Sequence, residues 1–327
     1  MNKQISEVEN IARDIKAMKI RGAGRIARAA AKAIMITASK SDAKNIASFI
    51  KEIEKTSKLL LLTRPTAVSL PNAIKYILKR VIDEKENISE LAEFKLITRN
   101  IIVKFIRDSE DAVKRIGEIG ARRVNTGDVI LTHCNSQAVI EIIKSAWAQK
   151  KQIKVFATET RPRFQGRETV KILNDNAIPA VLIVDSAVRY IINKIDKVIV
   201  GADTVTANGA VVNKIGTSTI ALAAKEARIP FFVATETYKF DPETSLGELV
   251  TIEERPSSEV IPAKELKKLR HARVFNPAFD VTPPEYIDLI ITERGVIPPQ
   301  AAISVMQQEF GWLLFETTKH KVIFEQS

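Results

Sequence analysis

The chain has 327 residues, 45% hydrophobic and 27% charged, with twelve glycines and thirteen prolines, which predicts a globular protein of two domains with little low-complexity linker. One cysteine, Cys134, excludes an internal disulfide framework and fits a reducing compartment, and His133, His271 and His320 are too scattered for a zinc site, so no metal is expected. Fifty Lys plus Arg against thirty-nine Asp plus Glu give a net charge of +11, which suits an anionic partner.

The opening residues Met1-Asn-Lys-Gln-Ile-Ser6 lack the basic and then apolar order of a secretory signal, and no apolar run reaches membrane-spanning length. A cytoplasmic location without membrane contact is the expectation. Residues 1–120 then read as a helical domain, with apolar periodicity over 8–18, 26–37, 43–54, 67–83 and 88–121 and with Pro65 and Pro71 marking breaks.

Between Asp14 and Asp42 there is no acidic residue, while Arg21, Arg25, Arg28 and Lys32 recur at the spacing of one helix face. A solvated charged face is one reading of that stripe, and an anion contact is the other. Arg21 differs because Gly22-Ala23-Gly24 follows it, a turn at a helix start whose amides, with the guanidinium, suit a phosphate. Arg64 stands between an apolar run and Pro65, at a turn between helices, and is a second candidate anion contact or a structural arginine.

After residue 120 the rhythm changes to short β-branched runs at 129–131, 153–157, 180–184, 198–201 and 231–234, separated by amphipathic helical stretches. Residues 273–275 and 286–291 are expected to add strands. Repeated βα units predict a Rossmann-like, mostly parallel sheet with helices on both faces over 121–327, and so an α/β protein with an amino-terminal helical domain. Ligands of such sheets bind beyond the carboxyl ends of the strands.

That rule gathers Cys134, Glu159-Thr160-Arg161-Pro162-Arg163, Asp185, Asp203 and Thr235-Glu236 along one edge, each just after an expected strand. A thiol there faces the start of a helix, whose dipole favours thiolate, although a lone cysteine is more often a small buried hydrophobe. Asp203 alone reads as a turn or cap carboxylate. A dinucleotide needs G-x-G-x-x-G after the first strand, where this chain has His133-Cys-Asn-Ser-Gln137, so NAD is not expected, nor any other cofactor. Asn213-Lys214-Ile215-Gly216-Thr217 precedes a helix and predicts a phosphate cradle of backbone amides with Lys214, or simply a cap at Thr217.

The motifs Arg21-Gly-Ala23, Arg64-Pro-Thr66, Thr132-His-Cys-Asn135, Glu159-Thr-Arg-Pro162 with Gln165-Gly166, Gly201-Ala-Asp203, Asn213-Lys-Ile-Gly-Thr217 and Asn276-Pro277 occur in one order along almost the whole chain. In this the sequence resembles the family that joins ribose-1,5-bisphosphate isomerases, methylthioribose-1-phosphate isomerases and the regulatory α, β and δ subunits of the initiation factor 2B complex. The resemblance implies a dimer that assembles into a hexamer, and makes Cys134 and Asp203 the catalytic pair, which the noncatalytic subunits typically lack. It also implies a cytoplasmic role in archaeal nucleotide-ribose salvage.

Methylthioribose-phosphate isomerases usually read Thr-Gly where this chain has Ser136-Gln137, and the cationic Arg21, Arg64, Lys214 and Lys239 suit two phosphates better than an apolar methylthio group. The expected reaction is therefore conversion of α-D-ribose 1,5-bisphosphate to D-ribulose 1,5-bisphosphate, with Asp203 as acid and Cys134 as base, or alternatively by hydride shift. Arg21, Gly22, Ala23, Gly24 and Arg64 from the helical domain, and Asn135, Ser136, Gln137, Asn213, Lys214 and Lys239 from the other, are the expected substrate contacts, with closure between domains over the substrate. Methylthioribose 1-phosphate isomerisation and a noncatalytic translation subunit are the alternatives. Nucleic acid is disfavoured, because no recognition module accompanies the basic segment and aromatic residues make up only 6%.

Overall fold

In the computed structural model, which describes residues 2–64, 68–246, 250–269 and 271–316, the helical periodicity becomes α1 (Asn2–Lys16), α2 (Ala23–Lys40), α3 (Ile46–Leu61), α4 (Ser69–Asp83) and α5 (Leu91–Ala121). Pro65, Thr66 and Ala67, expected as a break, part of a motif and a helix start, lie outside the described residues. The chain divides into two compact units, Met1–Ala112 and Val113–Ser327, and α5 runs through the division.

Within the first unit α2 packs against α1, α3 and α4. Its alanines explain this: Ala27, Ala30, Ala31 and Ala33 are fully buried, and their small side chains let neighbouring helices approach on more than one side. Asn45 starts α3 with a capping box, accepting from the Ser48 amide at 2.8 Å while the Ser48 hydroxyl accepts from the Asn45 amide at 3.3 Å. Phe49 of α3 then meets Phe94 of α5 edge to face, centroids 5.9 Å apart, with both side chains fully buried. Arg28 is drawn off the solvated stripe, donating to Ser109 Oγ at 3.0 Å.

The second unit alternates β1 (Val129–Thr132), α6 (Gln137–Ala148), β2 (Lys154–Thr158), α7 (Gln165–Asp175), β3 (Ala180–Ile183), the short α8 (Val188–Ile191), β4 (Lys197–Gly201), β5 (Thr204–Val205), β6 (Val211–Lys214), α9 (Thr217–Ala227) and β7 (Phe231–Ala234). The short α10 (Ala263–Leu266), β8 (Phe279–Thr282), β9 (Leu289–Thr292), β10 (Gly295–Ile297) and α11 (Ala302–Glu316) follow. Among the described residues, seven strands form one sheet in the order β10-β9-β7-β4-β1-β2-β3, parallel except for β10. Its two faces are covered separately: Ala138, Ile142, Ile143 and Leu173 of α6 and α7 lie in one core, Ile220, Ala224, Val305 and Met306 of α9 and α11 in the other. The Rossmann-like α/β reading therefore holds.

Two strand expectations shift. Residues 273–275 form no strand: Arg273 and Phe275 are exposed, Phe275 by 77%. The strand falls later, as β8, antiparallel to β6 in a small sheet of order β5-β6-β8, where Val211 pairs with Thr282 and Lys214 with Phe279. Tyr286 belongs to the turn Pro284–Tyr286, because the prolines at 283 and 284 have no amide proton to give a ladder, and β9 begins only at Leu289.

Truncating a fully buried aromatic loses both its transfer free energy and its packing. Phe49→Ala is therefore expected to destabilise the helical unit by about 3–5 kcal/mol, read as a lower urea midpoint of the helical signal. A change under about 1 kcal/mol would contradict this packing.

Candidate active site

The sheet reverses its direction of winding between β1 and β4: β2 and β3 follow on one side of β1, whereas β4, β7 and β9 follow on the other. Parallel sheets open a crevice at such a point, beyond the carboxyl ends of the two strands. Cys134 stands two residues after β1 and Asp203 two residues after β4. The two are close enough that the Asp203 charge acts on the Cys134 thiol.

Cys134 has φ 67°, in the left-handed region that L residues seldom occupy. Both its backbone groups are held from the following βα segment. Its amide donates to Thr160 Oγ1 at 2.9 Å, and its carbonyl accepts from Thr169 Oγ1 of α7 at 2.7 Å. Thr160, itself at φ 62°, is anchored by Asp185, whose carboxylate accepts from the amides of Thr160 at 2.8 Å and Arg161 at 2.7 Å. Gly166 closes the loop against β2: a Cβ there would stand 1.7 Å from the Thr158 carbonyl oxygen. Thus Asp185, placed by sequence at the ligand edge, serves the backbone that aims the thiol.

His133 is buried between these elements, with Nδ1 at 2.5 Å from Thr158 Oγ1 and Nε2 at 2.9 Å from the Ile215 carbonyl oxygen. A carbonyl only accepts, so Nε2 carries the proton and Nδ1 accepts from the threonine. Burial pushes the imidazole down to about 4, against the pull of the Ile215 bond and of Asp185, with Lys214 adding to the depression. It is neutral at physiological pH.

The expected amide cradle at the start of α9 is already filled from within the protein. Asp280 of β8 accepts from the Gly216 amide at 2.7 Å and the Ser218 amide at 3.1 Å, taking the place a phosphate would need. Burial raises Asp280 to about 6 despite those amides and Lys214. Thr217 is the first residue of α9, its hydroxyl donating to the Lys214 carbonyl at 2.6 Å, and Gly216 is the N-cap. Asn213 is buried, its amide donating to Thr217 Oγ1 at 3.0 Å. Lys214 reaches the Ala278 carbonyl at 2.9 Å and lies over the Phe279 ring.

Burial raises the Cys134 thiol from an ordinary 9.0 to about 11. Lys214 and the Asn135 backbone amide work against that rise, while the charges of Asp203 and Glu168 add to it. Next to it, the Asn135 carboxamide has both Oδ1 and Nδ2 buried without a hydrogen-bond partner, an arrangement that polar ligand atoms would satisfy. Ser136 caps α6 through the Val139 amide and lies against Gly201, where a Cβ would come within 2.6 Å of its Oγ. Gln137 is exposed on the first turn of α6.

Lys239 lies in the turn after β7, buried, with Nζ 2.7 Å from Glu236. Tyr238 donates to the other Glu236 oxygen at 3.0 Å. Burial works to raise Glu236, but Lys239 and Tyr238 outweigh it and keep the carboxylate charged. The positive charge of Lys239 is therefore largely matched from inside. In the helical unit, Arg21 precedes Gly22, the N-cap of α2 at φ 87°, Ala23 and Gly24 form the first turn, and Arg64 is buried after α3.

The family model of the initiation factor 2 subunit family matches residues 19–299. The chain belongs to that family. The ribose 1,5-bisphosphate isomerase of Thermococcus kodakarensis is 53% identical over 95% of this chain and 97% of its own length. The methylthioribose-1-phosphate isomerase of Pelotomaculum thermopropionicum is 37% identical over 90% of this chain and 84% of its own. Among solved structures, the translation initiation factor eIF-2B of Pyrococcus horikoshii OT3 has a TM-score of 0.77 at 32% identity, covering 91% of this chain and 98% of that one.

Within this initiation factor 2 subunit family member, the sequence placed Thr160 at the ligand edge and His133 in a motif without giving either a role, and left Thr169 and Asp280 unmarked. His133 carried a signal as a polar residue at the end of an apolar strand beside the cysteine, and Thr160 carried one as a polar residue just after the second expected strand. The others act on partners distant in sequence.

Cys134 is the sole thiol, so its titration is directly readable by iodoacetamide. Because its pKa lies near 11 instead of 9.0, alkylation at pH 7.5 should run ~100-fold slower than for an ordinary thiol of equal access. Asp203→Asn should speed it, by removing a repelling charge, and Lys214→Met should slow it. An inflection at or below pH 9 in the parent, or opposite signs in the two variants, would contradict this electrostatic arrangement.

Proposed function

We propose that this protein is an aldose-ketose isomerase that converts α-D-ribose 1,5-bisphosphate to D-ribulose 1,5-bisphosphate. The observation that carries the reading is the thiol of Cys134 and the carboxyl of Asp203 at the two strand ends that flank the reversal of the sheet. The 53% identity over nearly the full length to a relative named for this activity supports the substrate, against 37% for the methylthioribose-phosphate relative.

The chemistry follows from the anomeric phosphate, which blocks spontaneous opening of the furanose. Protonated Asp203 gives its proton to the ring oxygen as the C1–O bond breaks. Cys134 thiolate removes the C2 proton, leaving an enol across C1 and C2 with phosphate still on C1. Return of that proton from Cys134 to C1, and passage of the C2 hydroxyl proton to Asp203, yields the ketose and restores both groups.

The raised thiol shapes this cycle. With Asp203 ionised the thiol keeps its proton, because burial and the carboxylate both oppose thiolate. Protonating Asp203, the form its acid role requires, removes one of these oppositions while Lys214 continues to favour thiolate. The working acid and base thus arise from the resting pair by moving one proton.

Lys214, Asn213 and Lys239 with the loop Asn135, Ser136 and Gln137 are our assignment for substrate contacts in the sheet unit. Asn135, with its unmatched carboxamide, is assigned to a sugar hydroxyl. Within the helical unit, Arg21, Gly22, Ala23, Gly24 and Arg64 are assigned to phosphate on charge and backbone geometry. We further propose a cytoplasmic homo-oligomer built from dimers, up to a hexamer; no described helix is long and apolar enough to cross a membrane.

Purified protein offered ribose 1,5-bisphosphate, methylthioribose 1-phosphate and ribose 1-phosphate should turn over the bisphosphate, with ribulose 1,5-bisphosphate identified as product. Cys134→Ala and Asp203→Asn should each lower kcat by about 10²–10⁴-fold. Variants as fast as the parent would remove the proposed chemistry, and turnover confined to methylthioribose 1-phosphate would reverse the choice of substrate.

A further inference from the structure

We propose that His133 is a positioning residue: its neutral ring ties the backbone of Cys134 to the segment that carries Lys214, and so sets the distance between thiol and ammonium. The argument starts from the Ile215 carbonyl, which can only accept. The proton on Nε2 follows, then the lone pair on Nδ1, then donation by Thr158 Oγ1. With its proton committed, Thr158 Oγ1 can only accept from Thr160 Oγ1, 3.3 Å away. Thr160 in turn accepts from the Cys134 amide at 2.9 Å. The Thr160 hydroxyl also has the Thr158 carbonyl at 3.3 Å and His133 Nδ1 at 3.5 Å within reach, so the direction is fixed at the imidazole, and the link to Cys134 runs through the Thr160 oxygen that takes its amide proton.

The two ends are the two groups that matter to the thiol. One is Cys134 itself, adjoining His133 in sequence. The other is Ile215, adjoining Lys214, whose charge favours the thiolate. Gly216 tightens the joint: with φ 102° and its Cα against the ring, a Cβ there would lie 3.2 Å from His133 Cε1. A catalytic role for the ring is excluded by its environment, since it is 1% exposed and both nitrogens are engaged. The charged groups acting on the ring are Asp185 and Lys214, one of each sign.

Two substitutions divide the ring's functions. His133→Gln keeps a nitrogen donor at the reach of Nε2 but loses the acceptor for Thr158; His133→Asn keeps an acceptor at the place of Nδ1 but cannot reach Ile215. Only the turnover arm rests on the isomerase reading. His133→Asn should slow Cys134 alkylation at pH 9 by about 3–10-fold and lower kcat by about 10–100-fold with KM within about threefold. His133→Gln should recover most of the alkylation rate.

Lys214→Met should slow alkylation in the parent and in His133→Gln but add little in His133→Asn, the non-additivity expected of residues acting as a unit. Equal slowing by Lys214→Met in every background, or parent-like alkylation in His133→Asn, would overturn the proposal. Should His133→Asn fail to fold, the parent alone decides by imidazole nitrogen NMR. A neutral ring protonated on Nε2 from pH 5 to 8 supports the chain; a ring titrating between pH 6 and 7, or protonated on Nδ1, breaks it. Altered thiol reactivity without any turnover in the parent would leave this role intact and remove the substrate reading instead.

Discussion

A cysteine held in the left-handed region is the constraint around which the rest of the sheet edge is organised. That conformation costs about 1–3 kcal/mol, and a typical hydrogen bond returns about 0.5–1.5 kcal/mol, so neither Thr160 nor Thr169 alone would reliably secure it. Together they fix both backbone groups of Cys134. Their own placement needs a loop that is itself strained, with Thr160 and Phe164 at positive φ, anchored by Asp185 below and by the absence of a side chain at Gly166. Residues without any chemical role thereby become as necessary as the thiol.

Electrostatics at this edge is governed by shortage of water more than by net charge. The chain carries +11, yet two of its lysines near this edge are engaged internally: Lys239 on Glu236, and Lys214 on a carbonyl and an aromatic face. The helix start that looked free for an anion holds Asp280 instead. A phosphate at the start of α9 would have to displace Asp280 from the Gly216 and Ser218 amides.

The parallel strands of the main sheet were legible as short apolar runs, and the ligand edge followed from their parallel order, whereas β10, three half-buried residues paired antiparallel at the sheet's edge, was not expected. Asp203 and Cys134 were placed by that reasoning before any contact was known. The small sheet was not legible: β5 has two residues, and β8 takes its place by pairing with β6 about seventy positions earlier. The apolar pair Val274-Phe275 imitated a strand with no neighbour to complete it. Asp280 escaped notice for the same reason as β8, because a carboxylate that caps a helix 62 residues away leaves no local spacing to detect. Helix boundaries also moved, α3 running on to Leu61, where the sequence offered no breaker before Pro65.

The raised pKa of the lone thiol would be a defect in an enzyme that needed standing thiolate, and the surroundings explain why it is not one here. A thiolate at rest would be open to oxidation and alkylation, and the chain has no second cysteine to resolve a sulfenic acid formed at Cys134. In the proposed cycle, protonating Asp203 removes one of the charges that oppose the thiolate, while burial continues to oppose it. Lys214 and the Asn135 amide favour the thiolate against that burial, and the hydrogen bonds to both backbone groups of Cys134 hold the residue in place beside them.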